Sequence, residues 1–170
     1  MRRPAISTPV RVEAIRLDEG EVKLSGTPVL DCPLALALSR WTREVAAPLA
    51  RGELDRNLVE LGTGNGFVCR RRYGAKTGKL SEHAFGNAID IVAFRFDAQG
   101  DAARFDVEPY EDMDDAEAGY LDAVRKAACG YFTTILGPGS NAAHADHLHF
   151  DLGRMFTNGK RRDNPYRICE

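Results

Sequence analysis

The sequence of 170 residues lacks the features that mark several large classes of protein. No apolar run approaches the ~18 residues that a transmembrane helix needs, and residues 1–9 lack the apolar stretch of a signal peptide. The net charge is −2, so nucleic acid is not expected as a partner, and the short basic clusters at 70–72 and 160–162 are interpreted as solvated loop charges. A single globular domain over residues 1–170 is expected, and this length is sufficient to bury a core.

The four cysteines do not form a C-x-x-C pair, which argues against a zinc ribbon or a thioredoxin-like motif. An even number at wide spacing favours two disulfides, for which three connectivities exist. Pairing in chain order predicts Cys32 with Cys69 and Cys129 with Cys169. Because disulfides persist in oxidising compartments, a periplasmic or secreted protein is expected. The alternative is four reduced, buried cysteines in a cytosolic protein.

Hydrophobic periodicity predicts two helices. The first begins after Asp31, carries Pro33 in its first turn and ends near Pro48. The second is capped by Asp114 or Asp115. Their apolar faces are formed by Leu34, Leu38, Trp41, Val45 and Leu49 in the first helix and by Leu121, Val124, Ala128 and Phe132 in the second.

Apolar runs and alternating patterns predict the strands. These lie at 10–17, 21–24, 58–61, 67–70, 87–96, 102–107, 133–136 and 147–152. The glycine-rich segment 62–66 is interpreted as a hairpin turn, because it lacks the Lys-Ser/Thr that a phosphate-binding loop requires. The tail after Gly153 is interpreted as a loop. This order of elements predicts an α+β fold with a small, mainly antiparallel sheet flanked by helices.

Histidine is scarce in this chain, and its distribution points to chemistry. Only four histidines are present, and three of them, His144, His147 and His149, fall within six residues. The fourth, His83, precedes Asp90 by seven residues. An incidental cluster on an exposed loop is the alternative interpretation, and the pattern around the histidines argues against it.

The predicted strand 147–152 divides its side chains between two faces, because side chains alternate along a strand. One face carries His147, His149 and Asp151, and the core face carries Leu148, Phe150 and Leu152. Imidazoles on the polar side of a buried strand can converge on one metal ion.

Asp90 stands in a similar position, directly before an apolar run. A carboxylate buried there without a partner would be costly, and a metal ion would serve as that partner. Two imidazoles and one carboxylate are typical ligands of catalytic zinc, which keeps a fourth position for water and lowers the pKa of that water toward ~7. Asp146 and His144 are both candidates for the base that accepts the proton. Asp151 could instead orient a ligand imidazole.

Other active sites have less support in the sequence. A Ser-His-Asp site would need an activated serine, and no G-x-S-x-G motif is present. A Cys-His nucleophile conflicts with the even cysteine count. A pair of carboxylates, as in a glycosidase, would leave the histidine cluster unexplained.

Two segments, Ser81-x-His83-x-x-Gly86-x-Ala88-x-Asp90 and His147-x-His149, resemble the zinc signature of the LAS metallopeptidases. That superfamily includes D-alanyl-D-alanine carboxypeptidases, penicillin-insensitive murein endopeptidase and the hedgehog signalling domain. The chain is more similar still to the bacterial extensin-like C-terminal domain family, over roughly residues 10–169. The segments that carry this second resemblance are 32–35, 80–84, 136–141 and 144–151.

The LAS resemblance implies a zinc site whose ligands are His83, Asp90 and His149. It also implies that Ser81 contacts a ligand or the substrate. Arg70 is a candidate for stabilising the developing oxyanion, although it matches no family motif.

The proton-transferring residues implied by the resemblance are close to the last ligand. Asp146 matches the catalytic base of several superfamily members, and His147 matches a histidine beside the metal-bound water. His144 matches an auxiliary acid or base of the murein endopeptidase. The base is therefore a choice between Asp146 and His144, and Asp146 is favoured.

The resemblance further implies a small antiparallel sheet with Zn²⁺ on its open face. It implies hydrolysis of an amide bond in peptidoglycan stem or cross-link peptides by a DD- or LD-endopeptidase or carboxypeptidase. The main alternative is a zinc-containing module that binds cell wall or a protein without hydrolysis, as the hedgehog domain illustrates. A structural wall protein with incidental histidines is the third hypothesis, and it predicts no stoichiometric metal.

Overall fold

The computed structural model describes residues 3–98, 103–153, 156–157, 160–161 and 167–170. Its α-helices are α1 (Cys32–Trp41), α2 (Ala47–Leu54) and α3 (Asp115–Ala128). Its strands are β1 (Pro9–Arg11), β2 (Ala14–Arg16), β3 (Glu21–Leu24), β4 (Val29–Asp31), β5 (Leu58–Thr63), β6 (Ala88–Phe96), β7 (Arg104–Asp106), β8 (Thr134–Leu136), β9 (Leu148–Asp151), β10 (Phe156–Thr157), β11 (Lys160–Arg161) and β12 (Ile168–Cys169). The predicted α+β class is confirmed. None of the helices in these ranges combines the length and the apolar character that crossing a membrane requires.

One large sheet organises the fold, with strand order β12-β8-β9-β6-β5-β3-β2. Its pairs are antiparallel except for β12 with β8 and β3 with β5. The first half of β6 pairs with β9 and the second half with β7. The central position of β6 brings residues that are far apart in sequence onto neighbouring strands.

The core lies between the sheet and the helices. The ring of Trp41 in α1 lies 5.1 Å from that of Phe150 in β9, and the indole N–H donates to the carbonyl of Val124 in α3 at 3.1 Å. The core also contains Leu148 and Leu152, so the alternation predicted for this strand is confirmed. The opposite face of the sheet is therefore left for polar residues.

Both predicted helices exist, and the first is longer than expected. The second ends at Ala128, so Phe132, which was expected on its apolar face, lies beyond the helix. The first helix does not end near Pro48, because a π-helical turn over Thr42–Ala46 leads into α2. In the interior of a regular α-helix, a proline ring would clash with the carbonyl four residues before it. Pro48 lies in the first turn of α2, where its missing N–H costs little. In α3, Asp114 caps the helix by accepting from the N–H of Glu117 at 2.8 Å.

Three strand predictions need correction. The expected strand 10–17 is divided into β1 and β2, because β1 pairs with β4 and β2 pairs with β3. Residues 67–70 form no strand, and the N–H of Phe67 donates to Val29 O at 3.0 Å. The tail after Gly153 is not only loop, since β12 adds to the edge of the sheet beside β8.

The segment 62–66 is consequently not a hairpin turn. Its first two residues end β5, Gly62 and Gly64 permit close packing against β6, and Gly66 packs against residues 28–30. A Cβ at Gly64 would lie only 3.2 Å from the Cβ of Asp90. The other predicted strands occur within a few residues of their expected bounds, although Ala102 lies outside the described residues.

Of the two predicted disulfides, Cys129–Cys169 is confirmed. The second prediction is wrong, because Cys32 and Cys69 are free thiols. Chain order says nothing about which sulfur atoms meet, whereas β12 lies beside β8 and so returns Cys169 to the end of α3.

Candidate metal centre

Three ligand atoms from His83, Asp90 and His149 lie within 4.8 Å of one another, and all three residues are buried. Asp90 Oδ1 is the shared neighbour, at 2.9 Å from His149 Nδ1 and 3.2 Å from His83 Nε2. The structure thus brings together the three residues that the sequence predicted as zinc ligands.

Strand register produces this meeting. Asp90 in β6 lies directly opposite His149 in β9. At a β-bulge, β6 has one residue more than β5, and that residue is Val92. Ile89 and Ile91 face the core before the bulge, whereas Phe94 and Phe96 do so after it. The bulge therefore lets one strand turn Asp90 to the polar face and two phenylalanines to the core.

His83 comes from a 3₁₀ turn, Glu82–Phe85, that directly precedes β6. The Ser81 hydroxyl accepts from the N–H of His83 at 3.4 Å and begins the turn. Gly86 ends it with a φ of 64°, in the left-handed region that favours glycine. Ser81 therefore shapes the turn that holds a candidate ligand, and it also lines the neighbouring cleft.

The outer nitrogen of each candidate imidazole ligand has a partner. His83 Nδ1 lies 2.8 Å from the carbonyl oxygen of Gly66. His149 Nε2 lies 3.3 Å from Asp151 Oδ2. Metal-binding histidines almost always donate this second N–H to a carbonyl or a carboxylate, which fixes the ring orientation. Asp151 occupies the position that this orienting role requires.

Electrostatics at the cluster favour the pairing of opposite charges. Burial opposes ionisation of Asp90, but the hydrogen bond with His149 and the contact with His83 outweigh it and hold its pKa below the usual range. Burial lowers the pKa of His149, yet hydrogen bonds with Asp151 and Asp90 outweigh this effect and raise it to about 9. The protonated imidazole of His149 is thus stabilised between the carboxylates of Asp90 and Asp151. Metal binding would displace protons from such a site.

The residues present fit a metal ion. Imidazole and carboxylate are the donor set of catalytic zinc sites. His83 Nε2 is fully buried and, among the described residues, makes no hydrogen bond of acceptable geometry, although it faces Asp90. A buried nitrogen without a hydrogen bond is costly, and coordination to a metal would satisfy it.

The remaining two histidines lie at the rim of the cluster. His147 Nε2 is 3.8 Å from Asp90 Oδ1, and its Nδ1 is 2.8 Å from Asp146 Oδ1. The ring of His144 lies 5.5 Å from that of His149. Asp146 has a side chain that is 85% exposed, so it reaches the cluster only through His147.

A cleft of about 440 Å³ opens beside the cluster, within the range of ligand-binding sites. His144, His147, His149 and Asp151 line it together with Arg70. The basic residues at 70–72 are not simply solvated loop charges, since Arg70 Nη2 lies 3.6 Å from Asp90 Oδ2 and Arg72 pairs with Glu82. In the second basic cluster, Lys160 and Arg161 are exposed, and residue 162 lies outside the described part.

Sequence reasoning missed several residues of this region. Glu82 and Arg72 line the cleft as an ion pair with 3.6 Å between Oε1 and Nη2. Asn141 Oδ1 lies 2.8 Å from His144 Nδ1 and orients that ring. Glu82 could have been predicted as a residue of the site, because it is adjacent in sequence to the candidate ligand His83. Nothing in the sequence linked Gly66 to the histidines.

Fold and site together define an α+β domain with a buried His-Asp-His cluster beside an open cleft. A family model described as Extensin-like protein C-terminus matches residues 2–169, so the chain belongs to this family. The predicted resemblance to the extensin-like family is therefore confirmed, and the similarity to LAS metallopeptidases stays a prediction. Neither the curated proteins nor the solved structures include a match to this chain.

Proposed function

We propose that this protein binds one zinc ion through His83 Nε2, Asp90 Oδ1 and His149 Nδ1 and hydrolyses an amide bond in peptidoglycan. The observation that carries the proposal is the convergence of these three atoms while the outer nitrogen of each imidazole is held by an acceptor. Three protein ligands with an open fourth position are typical of catalytic zinc. When bound, zinc polarises a carbonyl group and lowers the pKa of water toward ~7.

We assign proton acceptance to His147, with Asp146 fixing its imidazole. His147 is the nearer of the two rim histidines to Asp90, and its Nδ1 is bonded to the Asp146 carboxylate. Asp146 alone is a less suitable base than the sequence suggested, because its side chain is largely exposed and already bonded. This arrangement resembles a base oriented by a carboxylate, which is frequent in hydrolases.

His144 is the alternative proton acceptor. Burial and the neighbouring charges of His149 and His147 lower its pKa to about 4. Its imidazole is therefore neutral near pH 7, but it is a weaker base than an ordinary histidine. His147 is preferred for its geometry, because its Nδ1 is bonded to Asp146 and its Nε2 lies 3.8 Å from Asp90 Oδ1.

Arg70 is the candidate for stabilising the negative charge that develops on the carbonyl oxygen. Its guanidinium lies beside Asp90 and lines the cleft, while its buried Nε lacks a hydrogen-bond partner within the described ranges. Donors that are fixed before the reaction and aimed at developing charge contribute strongly to catalysis.

The substrate class rests on the resemblance to LAS metallopeptidases, several of whose members act on peptidoglycan. The Cys129–Cys169 disulfide supports a periplasmic or secreted location, where this substrate is accessible. The alternative function is a zinc-containing module that binds cell wall or a protein without hydrolysis.

The first test is the metal content of the purified protein by elemental mass spectrometry. We expect about one zinc per chain in the wild type and almost none in Asp90→Ala or His149→Ala. Asp106→Ala is the matched control, because Asp106 is an exposed carboxylate on β7 and should keep the zinc. A wild type without zinc, even after reconstitution, would overturn the proposal.

The second test is incubation with purified peptidoglycan, followed by mass spectrometry of the soluble fragments. We expect the wild type to release peptides, and His147→Ala to lose at least ~100-fold of the rate while keeping its zinc. Bound zinc with no released fragments would favour the binding module over the enzyme.

A further inference from the structure

Thr133 lies directly before β8 and is fully buried. Its N–H donates to the backbone carbonyl of Asp151 at 2.9 Å. Its hydroxyl lies 3.0 Å from the same carbonyl oxygen and 3.4 Å from Asp151 Oδ1. One buried threonine therefore contacts both the backbone and the side chain of the residue that faces His149.

The single proton of the Thr133 hydroxyl is shared between the backbone carbonyl of Asp151 and Oδ1, so Oδ1 accepts the weaker branch of a bifurcated hydrogen bond. Besides Thr133, the N–H of Gly153 donates to Oδ1 at 3.0 Å. Oδ2 is left to face His149 Nε2 at 3.3 Å. Because Asp151 is buried, solvent contributes little to holding this orientation.

The orientation of His149 decides which nitrogen can reach a metal. With Nε2 engaged by Asp151, Nδ1 points toward Asp90 and His83. If the carboxylate rotated, the ring would lose the contact that holds it. Partners around a ligand histidine typically change metal affinity by 10–100-fold when they are mutated.

We propose that Thr133 is a positioning residue of the metal site, which fixes the Asp151 carboxylate so that His149 presents Nδ1 to the metal. This inference rests on the proposed function, because it requires zinc at the cluster. Thr133 contacts Asp151 and not the ligand His149 itself. The expected change in zinc affinity is therefore at the lower end of the range of about 10–100-fold.

The test is the zinc dissociation constant, measured by competition with a chromophoric chelator. Thr133→Val keeps the shape of the side chain and removes the hydroxyl, and we expect its dissociation constant to rise about 10-fold. Thr133→Ser keeps the hydroxyl and should stay within about 3-fold of the wild type. The absorption spectrum of bound Co²⁺ should shift in Thr133→Val and stay unchanged in Thr133→Ser.

Thr42→Val is the matched control for general destabilisation. Thr42 is also fully buried, and its hydroxyl donates to Leu38 O at 2.9 Å within the helical layer, away from the cluster. We expect Thr42→Val to lose stability without losing zinc affinity. Equal zinc weakening in both valine variants would overturn the inference, because affinity would then merely follow stability.

A double-mutant cycle separates the path through Asp151 from other effects. In an Asp151→Ala background, Thr133→Val should cause no further loss of zinc affinity, because the carboxylate it positions is gone. Additive losses would overturn the inference. A wild type that binds no zinc would overturn the proposed function and this inference together. If the wild type binds zinc and Thr133→Val has the same zinc dissociation constant, only the inference is overturned.

Discussion

Removing the Cys129–Cys169 disulfide is expected to destabilise the protein by about 4 kcal/mol. The bond closes a loop with a sequence separation of 40 residues. In the chain-entropy description, a crosslink across that separation removes about 13 cal/mol/K from the unfolded chain, which corresponds to about 4 kcal/mol at 25 °C. Without the disulfide, few native contacts would hold the end of the chain against the sheet, because β12 contains only Ile168 and Cys169.

The assay is urea unfolding of Cys129→Ser/Cys169→Ser, followed by the fluorescence of Trp41, the single tryptophan, which is fully buried. The linear extrapolation to water gives the free energy of unfolding. Wild-type protein treated with a reductant should lose the same amount. Cys69→Ser is the control, because Cys69 is an exposed free thiol and its replacement should change stability by no more than about 0.5 kcal/mol.

A loss below about 1 kcal/mol in the double variant would refute this reasoning. It would mean that the reduced, unfolded chain already keeps these ends close together, so that the bond removes little entropy. A change in the slope of the denaturation curve, rather than in its midpoint, would point to the same cause.

Two further predictions concern the site and the sheet. In chelator-treated protein, the pKa of His149 is raised to about 9. Protonated His149 therefore contributes at most about 3 kcal/mol of stability. This contribution is complete below the unfolded pKa of ~6.5 and is lost as the pH rises through 9. Urea unfolding at pH 6 and 10 should show this loss in the wild type and a smaller one in His149→Asn; equal losses would contradict it. Gly62→Ala should cost about 1–3 kcal/mol in thermal or urea unfolding, because its Cβ would lie 2.7 Å from the Cβ of Ala93 on β6. Gly52→Ala, with open space at its Cβ in α2, should be neutral or stabilising, and the same result for Gly62→Ala would contradict the packing argument.

Local patterns in the sequence were sufficient to predict the helices and the faces of β9. The alternation of His149 with Leu148 and Phe150 separates a polar face from the core, and the structure has this separation. Pro48 misled the prediction of the helix end, because a proline in a first turn and a proline that ends a helix look alike in sequence. Only the π-helical turn before it distinguishes them.

Long-range pairing was much less predictable. The glycines at 62–66 resemble a hairpin turn, but Gly62 and Gly64 pack closely against β6, which only the sheet order reveals. The bulge at Val92 was also not predicted, although the change of phase from Ile89 and Ile91 to Phe94 and Phe96 is a signal of it in the sequence. Residue chemistry and the family resemblance therefore identified the candidate ligands and Asp151 as an orienting residue, whereas the contacts of Gly66 and Thr133 needed the tertiary structure.

The register between β6 and β9 has a consequence for the order of events during synthesis. Asp90 and His149 are 59 residues apart, and His149 joins the cluster only after β9 has inserted between β6 and β8. Such distant pairings form late, because a long loop must close before the contacts stabilise it. A ribosome-bound chain that has emerged as far as Ala143 carries only two of the three candidate ligands. If the cluster binds zinc as proposed, all three ligands would be available only in chains in which β9 has paired with β6.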